Sequence, residues 1–270
     1  GGFNAVIKSM EKLCIDLGVN IVTGSEVKKI NIKNKKVVSV STENEEIETD
    51  YLIASADYAH VENQLLEKKY RNYSTEYWNK KNFSPSSLLF YLGVSKKLNK
   101  LDHHTLFFDE DIEQHSNDIY EKPIWPKKPL FYACCPAKTD PKVAPKDKEN
   151  LFILVPIAAG LNDTEEIREE YFKIVMKRLE KFCGEKIIEH IEYKKSYCVN
   201  DFITDYNAFK GNAYGLANTL MQTANLKPKI VNKQVQNMYY TGQLTVPGPG
   251  VPPSIISGQL VAEQIITKSK

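Results

Sequence analysis

The residues best placed to do chemistry lie between Met238 and Ile266. Gly242, Gly248 and Gly250 let the backbone turn sharply or approach a ligand closely. Pro247, Pro249, Pro252 and Pro253 fix φ and remove donors, so the same stretch is stiff. The apolar, β-prone run 238–241 precedes it as a strand. Ser254 is expected to be the N-cap of a helix carrying Ile255, Ile256, Leu260, Val261, Ile265 and Ile266. That helix is apolar on most sides and is expected to be buried. A glycine loop feeding the N-terminus of a buried helix suits an anion or an electron-rich ring edge. Free N–H groups and the positive end of the helix dipole point the same way there. The same spacing also describes a rigid loop before an ordinary buried helix.

The elements that must position this loop are legible along the chain. Residues 4–17 form an amphipathic helix, with Phe3, Val6, Ile7, Met10, Leu13, Cys14 and Leu17 at helical spacing and Gly18 closing it. Strands are expected at 19–22, 25–32 and 36–41, the last two joined by a turn at Asn34. Leu52, Ile53 and Ala54 are a continuous apolar run, as in a buried parallel strand. From Tyr58 the texture changes. Strands at 86–94, 104–108, 130–135, 151–157 and 187–198 suggest an antiparallel or mixed sheet. A helix follows the capping-box-like pair Asp163 and Glu166 and is closed by Gly184. Small and aromatic residues with two glycines fill 207–221.

Composition narrows the function classes. The chain has 270 residues, room for one large domain or two ordinary ones. Its 36 basic and 34 acidic residues leave a net charge of +2, so nothing drives it toward nucleic acid. The five cysteines show no CxxC spacing and are expected to be reduced thiols of a cytoplasmic protein. No apolar run reaches the length of a membrane span, and no secretory signal opens the chain. Gly1 stands directly before a strongly periodic helix with no leader strand, which reads as a chain beginning inside a larger protein.

Several stretches then carry a family resemblance. They are Gly1–Phe3 before a helix ending at Gly18 and Val19, and Val27–Ile30 with the strand Val37–Val40. Ser55–Ala59, Asp140–Pro145 followed by Lys148–Phe152, and Lys210–Gly215 continue it. The Gly242–Pro252 loop before Ser257 and Gly258 completes it. The sequence resembles the phytoene desaturase family, the flavin-dependent carotenoid desaturases of bacteria and fungi, over essentially the whole chain. The resemblance implies an α/β fold of mixed α+β character, the FAD-binding glutathione-reductase type. A mixed-sheet substrate domain would be inserted into it. Residues 1–57 and 231–270 would then be parts of the FAD domain, and 58–230 the substrate domain. A departure qualifies this: no GxGxxG loop for the FAD pyrophosphate is present, so the first βαβ unit is expected to be missing. FAD is therefore expected in the full-length protein and not in this portion alone.

The resemblance also implies roles. The cofactor would be held by Gly242, Gln243, Thr245, Gly248, Gly250, Val251 and Pro252, with backbone N–H groups near Gly250 and Val251 facing the flavin edge. Val27 would pair its backbone with the adenine. A long apolar carotenoid would run through a tunnel, for which Phe90, Tyr91, Phe107, Phe131, Tyr132, Phe209 and Tyr214 are candidates beside an ordinary core reading. Peripheral contact with a membrane surface is implied too. No catalytic base is identified; Asp201, Asp205 and Lys210 read as solvated or structural. His103 and His104 raise the question of a metal, but neighbours on a strand point to opposite faces, so none is expected. The other readings are a related carotenoid isomerase, oxidase or retinol-saturase-like flavoenzyme, or a non-catalytic module holding an apolar ligand. An amine oxidase is disfavoured because no paired-aromatic cage is evident.

Overall fold

The computed structural model describes residues 2–268. Gly1 of the first quoted stretch and positions 269–270 of the C-terminal segment lie outside it. The amphipathic pattern does form a helix, α1 (Gly2–Asp16), and Gly18 follows it at φ 78°. Yet α1 buries none of its residues: Phe3, Ile7, Met10 and Leu13 are all exposed. The strand expected at 19–22 is not formed, and Val19, Ile21 and Val22 are exposed. A strand needs a neighbour for its N–H and C=O groups, and none pairs with this run among the described residues. Three antiparallel strands follow in order, β1 (Lys29–Lys33), β2 (Lys36–Ser41) and β3 (Glu46–Glu48). Asn34 and Lys35, both at positive φ, make the turn between the first two. Next is β4 (Leu52–Ala54), which is half-exposed and not the buried strand its apolar run implied.

After the short helices α2 (Tyr58–His60) and α3 (Thr75–Asn79) comes a five-stranded sheet, antiparallel throughout. Its strands are β5 (Ser86–Val94), β6 (His104–Phe107), β7 (Phe131–Cys134), β8 (Glu149–Ile157) and β9 (Ile191–Tyr197), in the order β6-β7-β8-β5-β9. The nine-residue β5 pairs β8 along its whole length, from Ser86 opposite Ile157 to Val94 opposite Glu149. Between the strands lie α4 (Ile112–Tyr120) and α5 (Glu165–Cys183). Tyr171, Phe172, Val175, Met176 and Leu179 of α5 pack on Leu88, Phe90, Leu92, Leu151, Ile153 and Val155 to form one core. Thr164, not Asp163, caps α5, accepting from the Ile167 N–H at 3.4 Å. Asp163 is instead buried in a two-bond pair with Arg168, at 2.7 and 2.6 Å. Burial alone would raise the Asp163 carboxyl. The Arg168 bonds and the Asn200 N–H outweigh it and hold the group below the usual carboxylate range.

A second core takes its residues from both sides of this sheet in sequence: Ile30, Val37, Tyr58, Trp78, Phe83, Leu216, Val235, Met238 and Tyr240. Residues 58–83 and Leu216, which the sequence reading gave to the insert, therefore pack with its flanks. The chain closes through β10 (Met238–Tyr240), fully buried and parallel to β4, with Tyr239 opposite Ile53. Inside this core Glu62 accepts from the N–H groups of Asn72 (2.6 Å) and Tyr73 (2.9 Å) and from the Tyr240 hydroxyl (3.1 Å). Burial pushes its carboxyl up to about 7 despite these donors. After α6 (Val199–Tyr206) and the loop following β10, the chain ends in α7 (Val251–Lys268). Here the structure again departs from expectation. Only Ser257 and Val261 are buried, while Ile255, Ile256 and Ile266 are exposed.

Candidate functional site

The glycine-proline loop is built as the spacing required. Gly242, Gly248 and Gly250 sit at φ 99°, 134° and 111°, a region costly for residues with a Cβ. Val246–Pro247 is a cis bond. Thr245 is fully buried, and both its N–H (3.1 Å) and its hydroxyl (2.9 Å) donate to Gly242 O, closing a tight turn. Ser257 of α7 fastens the loop to the helix, accepting from Gly242 N–H at 2.8 Å and donating to Ser254 O at 2.6 Å. The helix begins at Val251, three residues before the expected cap, and Ser254 N–H already bonds Gly250 O at 3.0 Å. Pro252 and Pro253 are tolerated because first-turn N–H groups have no helical partner. They also leave the helix end with few donors: the dipole remains, but the N–H groups near it reduce to those of Gly250 and Val251.

Beside the loop lies a cavity of about 470 Å³. Thr241, Gly242, Gln243 and Leu244 line one side, Phe202 and Tyr206 of α6 another, and Ser55 to Tyr58 its floor. Asp57 caps α2 here, accepting from His60 N–H (3.1 Å), and also binds Phe209 N–H (3.2 Å). Burial in this apolar setting raises its carboxyl despite those bonds. Gly215 touches the loop from the other side: a Cβ there would stand 2.9 Å from Gln243 O. Behind Gly248 is Lys227. It is 2% exposed, its Nζ has no hydrogen-bond partner, and its Cε would lie 3.1 Å from a Cβ at Gly248. Burial pushes this amine down.

The five-stranded sheet has a second face, which α5 does not cover. Register places Leu89, Tyr91, Phe152, Leu154, Tyr132 and Leu106 together on it. Tyr91 and Phe152 are cross-strand partners with ring centroids 5.3 Å apart. Tyr91 and Leu106 are exposed and the two residues from β8 half-buried. Tyr206 connects this face to the cavity. It lines the cavity, and its phenol adds to the effect of burial in raising that of Tyr91.

The proposed tunnel residues separate accordingly. Tyr91 and Tyr132 are on the open face. Alternation turns Phe90, Phe107 and Phe131 to the α5 side, where they are 1%, 6% and 3% exposed in the core. Phe209 packs on the second core, and Tyr214 is exposed at an apolar groove between α1 and the start of α7. Val27 precedes β1, packs on the second core and does not line the cavity. Sequence reasoning missed Asp57, Lys227, Phe152 and Leu106 as site residues.

A family model described as flavin containing amine oxidoreductase matches residues 1–266. The chain belongs to this flavin oxidoreductase family. Within it the chain stands with the phytoene desaturases. A carotenoid 3,4-desaturase of Haloarcula japonica is 41% identical over 266 residues, covering 98% of this chain and 54% of that protein. A zeta-carotene-forming phytoene desaturase of Myxococcus xanthus is 27% identical, with 99% and 52% covered. The chain thus spans about half the length of these curated relatives. An oxidoreductase of Methanosarcina mazei superposes with a TM-score of 0.62 at 15% identity, over 96% of this chain and 53% of that one, a likeness of fold.

The flavin named in the family's description has a matching donor set in this site. An unpartnered buried amine (Lys227), the positive end of α7, the N–H groups at Gly250 and Val251 and the Gln243 amide all border a loop that three positive-φ glycines shape. No helix among the described residues is long and apolar enough to cross a membrane.

Proposed function

We propose that this chain is the C-terminal portion of an FAD-dependent carotenoid desaturase, which dehydrogenates a long apolar polyene. The observation that carries the reading is the continuity of three features: the Gly242–Gln243 loop, the cavity beside it, and the aromatic open face of the five-stranded sheet. An apolar chain has few polar handles, so it is held by shape and by rings. Tyr91, Phe152, Leu154 and Leu106 offer such a surface, and Phe202 and Tyr206 steer it toward the loop.

Desaturation removes a hydride equivalent and a proton from neighbouring carbons, and FAD when bound supplies the two-electron acceptor. This chain's residues bind and orient. Gly242, Gln243, Gly248, Gly250 and Val251 would hold the flavin. Thr245 and Ser257 keep that loop in shape, and the buried Lys227 amine stands beside it next to Gly248. The dinucleotide side is assigned to a GxGxxG-bearing segment outside these 270 residues. The exposed faces of α1, β4 and α7 are the surfaces it would cover. Residues 2–57 and 231–268 belong to the FAD-side body in this reading, with 58–83 packed against it. Access for a membrane-dissolved substrate implies peripheral contact at the apolar rim.

The test is product analysis with flavin-loaded full-length protein. Phytoene or a partly desaturated carotene should gain conjugated double bonds, seen as a shift of its absorption to longer wavelength. Flavin-loaded protein that leaves all such carotenes unchanged rejects the proposal. Oxygenated or isomerised products would assign the site to a related carotenoid enzyme instead.

A further inference from the structure

We propose that His103, His104 and Cys134 form a binding site for a thiophilic divalent metal ion, zinc(II) being the ion their donors suit. The sequence argument against joint ligation assumed that both histidines lie within one strand. They do not: β6 begins at His104, and His103 belongs to the preceding turn, so alternation does not separate their rings. The rings stack with centroids 4.1 Å apart. His104 is the cross-strand partner of Cys134, which puts both side chains on the open face of the sheet, and His104 Nδ1 lies 3.9 Å from Cys134 Sγ. One donor atom from each of the three residues lies within 4.8 Å of the others.

Two imidazoles and a thiolate are the donor types that zinc(II) selects. Bonds of about 2.0–2.1 Å to nitrogen and 2.3 Å to sulfur set tetrahedral donors roughly 3.3–3.8 Å apart. The set therefore closes by up to about 1.5 Å, on the scale of an imidazole rotation. One supporting contact is in place: the Thr139 hydroxyl stands 2.7 Å from His103 Nδ1, leaving the other ring nitrogen for an ion, whereas the Tyr132 hydroxyl, 2.5 Å from His104 Nδ1, has to yield that nitrogen when the ion binds. Such outer partners fix ring orientation at metal sites. Three protein donors leave a fourth position for water. Binding converts the Cys134 thiol to a metal-bound thiolate and releases its proton to solvent; nothing is oxidised or reduced. The ion would staple β6 to β7 and, through Thr139, to the connection leading into β8. The site is independent of the flavin reading, because it stands on the outer hairpin and uses no residue of the loop or cavity.

Cobalt(II) titration of metal-free, reduced protein tests it. An equimolar complex with a thiolate-to-cobalt charge-transfer band is expected, displaced by zinc(II), with zinc(II) raising Tm. Cys134→Ser should lose the band, and His104→Ala should weaken binding at least about tenfold. Cys14→Ser, which removes the half-exposed thiol of α1, should change neither. No charge-transfer band, a band that survives Cys134→Ser, or unchanged affinity in His104→Ala overturns the proposal. His104 is exposed, so its variant keeps the test readable even if Cys134→Ser fails to fold.

Discussion

Two amphipathic helices of this chain meet opposite fates. The 19 residues of α5 bury Tyr171, Phe172, Val175, Met176 and Leu179 against β5 and β8. The 15 residues of α1 carry as regular an apolar face, and bury none of it. Exposed apolar groups recur on α1, the run 19–22, β4 and α7, while the five-stranded sheet is closed on its α5 side. Periodicity states that a helix needs a partner; it does not state where the partner is. The five-stranded sheet has its cover on the α5 side, whereas α1 and α7 leave apolar faces exposed.

The largest effects should divide along this line. Arg168→Ala leaves Asp163, whose side chain is fully buried, without its guanidinium and should cost about 3–5 kcal/mol in urea denaturation. Lys12→Ala breaks only the exposed pair with Asp16 and should stay within about 0.5 kcal/mol. Likewise Leu179→Ala should cost about 2–5 kcal/mol and Leu13→Ala about 0.5 kcal/mol or less. A large loss from Leu13→Ala would break the comparison by showing that α1 packs on something in solution. In full-length protein the same substitution should become costly.

pH should separate the regions next. The Asp163 carboxyl is held below its unfolded value, so its contribution is full above about pH 4 and is lost as pH falls through the folded value. Glu62 runs the other way. Its folded value is raised to about 7, so the folded state binds the extra proton. Stability from this group is full below about pH 4.5 and is lost as pH rises to about 7, on the order of 2–3 kcal/mol. Glu62→Gln should flatten Tm against pH between about 5 and 7; an unchanged slope would contradict the assignment.

A small effect, opposite in sign to the core losses, is expected at Lys227. Replacing an unpartnered buried amine with Met should leave the chain unchanged or stabilise it by about 1 kcal/mol. In the full-length protein Lys227→Met should weaken flavin retention, read as flavin released on dialysis. Flavin held as tightly as before would remove Lys227 from the site.

Much of this was legible in the chain. The strand 86–94, the αL glycine at 184 and the loop at 242–250 fall where local chemistry put them. What escaped was decided by distant contacts. Leu88–Leu92 is an unbroken apolar run, so nothing local distinguishes Phe90, facing the core, from Tyr91, facing the cavity side. Asp163 and Thr164 are both good caps, and Arg168 decided between them. Lys227 beside Pro228 reads as a solvated turn; only the fold of the loop over it removes water. The same limit hid the outer hairpin cluster, where His103 stands just before the strand and the alternation rule does not reach it.

The most direct test mixes flavin-loaded full-length protein with a carotene in the absence of oxygen and follows both chromophores. The account predicts that oxidised flavin absorbance falls as the carotene spectrum moves to longer wavelength. Tyr91→Asp should slow both without releasing flavin. Flavin that stays oxidised with phytoene and with each partly desaturated carotene would contradict it.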